Sequence, residues 1–353
     1  TTYFYGNGDE IRNNIIMTKA MQNSDIYTGQ VDISTPLGST SFDTGLKYSG
    51  LKTESGQDYF DTNTGTRQFE PELSDVLDYE EDIYAAYASI SKDWEKWSAK
   101  LGLRGEYTDV QGISESQGLV NSQDYLELFP TFYLNYNASE DHSFGFEYSR
   151  RITRPRFENL NTYRYFLNEN NFQDGNPDLM PAIANTVKFS YGYKNKLFFD
   201  LYWDRADNEI ATMPFQDNVN RNLRSTSLNI DFYQQYSFDI SYYDYLNDWW
   251  TLSVYSSFFY MQNDFPALES GGQIVTNDTF GAYIYAGNFF TLSKDGTENE
   301  IVIDGLNGFG YGLYNMKVSG IELLFTDNNI VSPAMPEAIP SFPFISTAAT
   351  SYS

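Results

Sequence analysis

The sequence predicts an all-β chain, an antiparallel transmembrane β-barrel of which roughly a dozen strands are recognisable, so a partial barrel. Three observations predict it. Aromatic residues make up 18% of the 353 residues, with 30 Tyr and 27 Phe, yet mean hydropathy is −0.49. Apolar residues recur at every second position in one segment after another. Tight turns alternate with long polar connections. A barrel in a bilayer reconciles rings with hydrophilicity, because its outer face carries an apolar band with aromatic girdles while its inner face is polar.

The alternation can be read segment by segment. Leu101, Leu103 and Tyr107 share one face and Arg104 and Glu106 the other. Phe144, Phe146 and Tyr148 oppose Ser143, Glu147 and Ser149, and Val187, Phe189, Tyr191 and Tyr193 oppose Thr186, Lys188 and Ser190. Leu197, Phe199, Leu201 and Trp203 oppose Asp200 and Asp204, and the pattern returns over 236–242 and 252–260. A period of two over such lengths gives strands with one apolar face. Short turns fall at 93–96, 138–141, 194–196 and 246–248. The connections 52–79, 110–124, 154–181, 207–222 and 262–277 read as long polar loops. That alternation of lengths matches short periplasmic turns and long extracellular loops. Acids at Glu70, Glu72, Asp75, Asp78, Glu80, Glu81 and Asp82 read as a solvated acidic loop, since calcium-loop spacing is absent.

Charge and composition exclude several classes. Lys plus Arg is 22 against 48 Asp plus Glu, a net charge of −26, which speaks against nucleic-acid partners and against docking on anionic lipid through basic patches. With no Cys and a single His, His142, there is no thiolate or His-based metal site, and no cofactor is implied. P-loop, dinucleotide-binding and nucleophile-elbow phrases are missing, and no spacing singles out a glycosidase carboxylate pair. No apolar run reaches transmembrane-helix length, which leaves strands as the means of crossing. The first residues, from Thr1 to Tyr5, have neither the basic nor the apolar region of a secretory signal, so the chain is expected to be mature or internal to a longer one.

The run Glu147-Tyr148-Ser149-Arg150-Arg151-Ile152-Thr153-Arg154-Pro155 is followed by Glu158-Asn159-Leu160-Asn161, Tyr163-Arg164-Tyr165-Phe166-Leu167 and Gly175-Asn176-Pro177-Asp178-Leu179-Met180-Pro181. This resembles the barrel of TonB-dependent outer-membrane receptors, particularly the outer membrane β-barrel family common in Bacteroidetes. There, a strand ending in S-R-R-I-x-R-P leads into a long loop closed by G-N-P-x-L-x-P. The segments 83–87, 97–108, 191–195 and 288–296 are similar in style. The likeness is diffuse over about residues 20–296 and most specific at 148–181. Read physically, Pro155 ends a strand because it cannot donate to a ladder, and Gly175-Asn176-Pro177 signals a turn, with Gly free to take positive φ. Arg150, Arg151 and Arg154 form the densest positive cluster of an acidic chain. They are expected either to pair with acids at the strand end or to bind an anionic substrate or clamp a plug domain.

The resemblance implies uptake of a scarce solute such as a siderophore, cofactor, oligosaccharide or peptide, across the outer membrane of a Gram-negative bacterium. It implies outer-membrane lipid as surroundings and a plug domain and the TonB energy-coupling system as partners, neither of which is recognisable in this chain. It implies no enzyme. Residues 1–296 are expected to be a fragment of such a barrel. Residues 297–353, including Glu298–Gly305 and a Pro-rich tail over 330–353, lack the likeness and are expected to be truncated or aberrant sequence. The competing readings are a soluble secreted all-β glycan-binding module and a β-sandwich glycosidase.

Overall fold

The computed structural model describes residues 2–4, 10–13, 16–63, 65–116, 118–267, 273–291, 300–308, 311–318 and 321–326, with side chains described over 16–63, 65–116, 118–266 and 273–289. The tail 330–353 and residues 298–299, singled out in the sequence, lie outside the described residues. In chain order the elements are β1 (Thr2–Phe4), β2 (Glu10–Asn13), β3 (Ile16–Leu37), β4 (Thr40–Asp61), β5 (Gln68–Phe69), β6 (Asp75–Asp93), β7 (Trp97–Ser114), β8 (Leu119–Asn137) and β9 (His142–Thr153). There follow a one-turn helix α1 (Phe157–Leu160), β10 (Tyr165–Asn168), β11 (Asn171–Asp174), β12 (Ala182–Tyr193), β13 (Leu197–Asp217), β14 (Asn222–Asn247), β15 (Trp250–Ala267) and β16 (Gln273–Thr291). The last are β17 (Glu300–Gly308), β18 (Tyr311–Val318) and β19 (Ile321–Thr326).

Contacts divide the chain into two units: one of 1–239 with 258–281, the other of 240–257 with 282–353. In the first, an antiparallel meander runs β3-β4-β6-β7-β8-β9-β12-β13 in unbroken register. In the second, β17 pairs antiparallel with the end of β16 and with β18, and β18 with β19. Local chemistry explains the hairpins. Gly38, at φ 69°, turns β3 into β4. Lys194 and Asn195 take φ 55° and 54°, the left-handed pair a tight hairpin needs between β12 and β13.

Four of the five expected long loops are largely strand. Strand β7 runs to Ser114 and β8 starts at Leu119, β13–β14 turns over 218–221, and β4, β6, β15 and β16 likewise run deep into the stretches assigned to loops. The ladders continue because backbone hydrogen bonds do not need an apolar face. The sequence hid them because outside the bilayer both faces are polar, so the period of two vanishes. The acidic stretch 75–82 is such a case: it lies in β6 and is not a loop. Only 154–181 is a genuine long excursion.

The first unit has two unlike faces. On one, a row of rings crosses six strands, Trp97–Tyr136–Phe144–Tyr191–Phe199–Phe238, with centroids 4.0 to 6.3 Å apart. A second row, Tyr48–Tyr84–Tyr107, is spaced at 5.1 and 6.5 Å. Between the rows stand exposed Leu46, Leu101, Leu103, Leu128, Phe189 and Leu201. Above the second row the same face turns polar, with Asp82 accepting from the Tyr48 hydroxyl and Lys52 paired to Glu80 at 2.8 Å. On β7 the rows are marked by Trp97 and Tyr107, so about 33 Å of strand separates them at ~3.3 Å per residue. A tilt of about 40° reduces this to roughly 25 Å, the height of an outer-membrane apolar band. Such a face in water would far exceed the apolar patches that monomers tolerate. The opposite face carries Arg104 on Glu106, Glu147, and Lys188 3.5 Å from Asp200.

This geometry predicts the cost of a charge by depth. Leu103→Arg, near mid-band, is expected to destabilise by about 2–4 kcal/mol, whereas Gln111→Arg, on the same face of β7 but above the tyrosine row, costs about 0–1 kcal/mol. Reversible denaturant unfolding in lipid vesicles measures both; equal costs would show that the band lies elsewhere.

Candidate functional site

Past Pro155 the chain does not rise into solvent. It folds back as a strap over the polar face of the first unit, at the end where β4, β6 and β7 outrun the apolar band. Leu77 and Tyr79 of β6 point at it, and Tyr79 packs with Leu160 and Leu179 of the strap in a small apolar core. The space left beneath is about 40 Å³, room for a water or two and no solute. Along β6, Asp75, Leu77, Tyr79 and Glu81 therefore face the strap, while Asp78, Glu80 and Asp82 face away.

Asp75 is the strap's anchor on the β6 side. Its carboxylate accepts from the hydroxyls of Ser114 at 2.6 Å, Ser116 at 2.7 Å and Thr162 at 2.7 Å, and from the Ser116 backbone N–H at 3.0 Å. Burial pushes this carboxyl up, but the donors outweigh it and hold it below the usual carboxylate range. On β4, Ser55 shares a hydrogen bond with the Tyr163 hydroxyl, and the Tyr59 hydroxyl donates to the Arg164 carbonyl. On β8, Asn121 and Gln123 donate to the carbonyls of Pro177 and Leu179. At the far end β11 joins β14 in a parallel ladder, Asn171–Asp174 against Leu223–Thr226. There the Arg224 Nε donates to both Asp174 oxygens at 2.9 Å, and Asn229 exchanges two 2.8 Å bonds with the backbone of Met180.

The glycine of the closing phrase has a different task from the one expected. Gly175 is not at positive φ; a Cβ there would come within 2.1 Å of the Asn161 carbonyl oxygen and 2.6 Å of that of Asn159. The Asn176 N–H bonds the Asn159 carbonyl at 2.6 Å, so two arms of the strap touch backbone to backbone, which only glycine allows.

The three arginines singled out in the sequence separate in space. Arg154 reaches Glu106 at 2.6 Å and Glu81 at 3.4 Å, with a further bond to Thr108 at 2.9 Å. Arg150 pairs with Glu127 at 2.8 Å and lies 5.9 Å from the Phe129 ring. Arg151 is exposed and makes no ion pair among the described residues. Two cations that the sequence reading passed over, Arg164 of the strap and Arg224 of β14, instead line a recess of about 460 Å³ with Asp75, Thr162, Tyr163 and Asp174. The signal for Arg164 was present, inside the 163–167 phrase. Arg224 has none, because only the fold brings β14 to β11. Among the described residues no group of His, Asp and Glu has metal-site geometry. Among the described residues no helix is long and apolar enough to cross a membrane.

The family model of the outer membrane protein beta-barrel family matches residues 1–300, and the chain belongs to that family. Its fold is that of an antiparallel outer-membrane barrel, and its place is the outer membrane of a Gram-negative cell; the ringed face is thus the lipid face and the polar face the interior. Among solved structures it is similar to the copper transporter OprC, at 11% identity and a TM-score of 0.56 over 85% of this chain and 51% of that one. It is also similar to the alcaligin outer-membrane receptor FauA of Bordetella pertussis, at 11% identity and a TM-score of 0.52 over 85% and 49%. The chain thus spans about half the length of these structures. No curated protein matches it.

Two outcomes test the site. Arg154→Met strands Glu81 without its cation in a largely buried setting and leaves Glu106 to Arg104 alone, and a loss of about 3–5 kcal/mol of unfolding free energy is expected; adding Glu81→Gln should recover most of it. Because the Asp75 carboxyl is held low in the folded state, its contribution is full above the unfolded value of about 3.9 and is lost as pH falls through the lower folded value. Pepsin cleavage within 154–181 should therefore rise at the acid end of its range. Asp75→Asn should show that raised cleavage already at higher pH, and a pH profile identical to wild type would remove Asp75 as the anchor.

Proposed function

We propose that the chain is barrel wall of a TonB-dependent outer-membrane receptor that imports a scarce solute, whether siderophore, cofactor, oligosaccharide or peptide, and that it performs no catalysis. Family membership supports the receptor class, and the fold shared with a receptor and a transporter is consistent with it. The observation that carries the reading is the strap. A passive porin gains from an open mouth, whereas here a pinned segment covers the interior face at its outer end and leaves a polar recess beside it. A soluble glycan module or glycosidase would leave the two-rowed apolar face uncovered.

In this mechanism the outer end captures the solute, a plug domain closes the interior, and force transmitted through TonB moves the plug. The exposed Arg151 is the member of the arginine trio whose charge is available to a plug or a ligand. Solute uptake by cells producing the whole receptor is the test. Uptake should collapse when the inner-membrane proton-motive force is dissipated or TonB is deleted; uptake that persists at the same rate would make the protein a passive pore.

A further inference from the structure

We infer that the recess between the strap and β14 is a subsite for an oxyanion, the carboxylate or phosphate group of a small solute, held by Arg164 and Arg224. This rests on the receptor reading above and adds the chemical class of what is captured.

The chain carries a net charge of −26, so its surroundings repel anions in general. Two guanidinium groups lining one recess of about 460 Å³ are therefore an exception with a consequence. Three acids line the recess beside them: Glu72 is solvent-exposed, and the other two are already committed. Asp75 is saturated by three hydroxyls and two backbone N–H groups. Asp174 is held by the Arg224 Nε alone, at 2.9 Å to each oxygen. That leaves the two terminal nitrogens of Arg224, with their four N–H donors, without a hydrogen bond among the described residues.

Arg164 is more open still. Its guanidinium lies 4.8 Å from the centre of the Phe172 ring, and its side chain makes no hydrogen bond or ion pair among the described residues. The ring holds the cation by a cation–π contact that consumes none of its N–H donors, which stay open to a carboxylate or phosphate. Both arginines also share that ring as a neighbour: Phe172 is the register partner of Arg224 in the β11–β14 ladder. Arg164 and Arg224 thus bring unpaired N–H donors to one recess. The Tyr163 and Thr162 side chains line the same recess and supply hydroxyls for the rest of the solute. The recess opens on the interior side of the wall, out of reach of lipid headgroups, so the ligand is a free solute.

The whole receptor in detergent micelles, titrated calorimetrically with citrate and with pyrophosphate at low salt, tests this, with maltose as an uncharged control. At least one anion should bind, maltose should not displace it, and added salt should weaken it. Arg164→Gln and Arg224→Gln should each reduce affinity about tenfold or more. Since Arg224 also ties down Asp174, Arg164→Gln is the cleaner variant, and heat-modifiable gel migration identical to wild type checks that it folds. Failure of both anions to bind, or wild-type affinity in Arg164→Gln, would overturn the subsite. If anions bind as expected but uptake does not need TonB, the receptor reading falls alone; energised uptake without anion binding leaves that reading standing and removes the subsite.

Discussion

Hydrocarbon offers a peptide group no hydrogen-bond partner, and each unpaired N–H or carbonyl there costs several kcal/mol. That constraint organises this chain. It forces β3 through β13 into a continuous ladder across the band between the two ring rows, with the register kept from strand to strand. Once the backbone is committed, side chains alternate automatically, and the two faces can be assigned independently to lipid and to the interior. The rings then mark the edges of the band because Tyr and Trp prefer a place that is apolar at one end and wet at the other.

Outside the bilayer the constraint relaxes, yet the ladders persist. The departure from plain hairpins comes from one place, the proline after Arg154. Pro155 ends β9, and the chain then spends its polar groups on the interior wall instead of on water. Asp75, Tyr59, Asn121, Gln123 and Asn229, each on a wall strand, are matched to strap backbone or hydroxyl groups. Most of these are neutral hydrogen bonds of modest worth singly, and the strap gains its position from their number and from the Tyr79–Leu160–Leu179 core. The charged cluster under it, Arg154 between Glu81 and Glu106, is costly to break and contributes less to net stability than to fixing where the strap leaves β9.

Much of this was legible in the sequence. The strand class, the lipid-facing identity of Leu101, Leu103, Phe189 and Leu201, and the uniqueness of the 148–181 phrase all follow from a period of two and from the punctuation of Gly and Pro. What was not legible has physical reasons. Strand extensions such as 75–82 carry acids on both faces, so no period distinguishes them from a loop. The need for Gly175 arises from a contact with Asn159 and Asn161, which no local rule about φ contains. Arg224 becomes a neighbour of Arg164 only because β11 adds to β14 in parallel, a pairing between residues 52 apart in the chain.

The overlong strands set the recess apart from the membrane electrically. Gln57, level with the strap on β4, is nine residues beyond Tyr48 and the edge of the apolar band, about 30 Å along the strand and roughly 23 Å in height at the tilt used above. At physiological ionic strength the Debye length is about 8 Å. The charged surface of the bilayer is therefore nearly three screening lengths below the strap and contributes almost nothing to the potential there. A solute arriving at that level responds to the local side chains alone, so its recognition should be indifferent to how densely the lipid around the protein is phosphorylated.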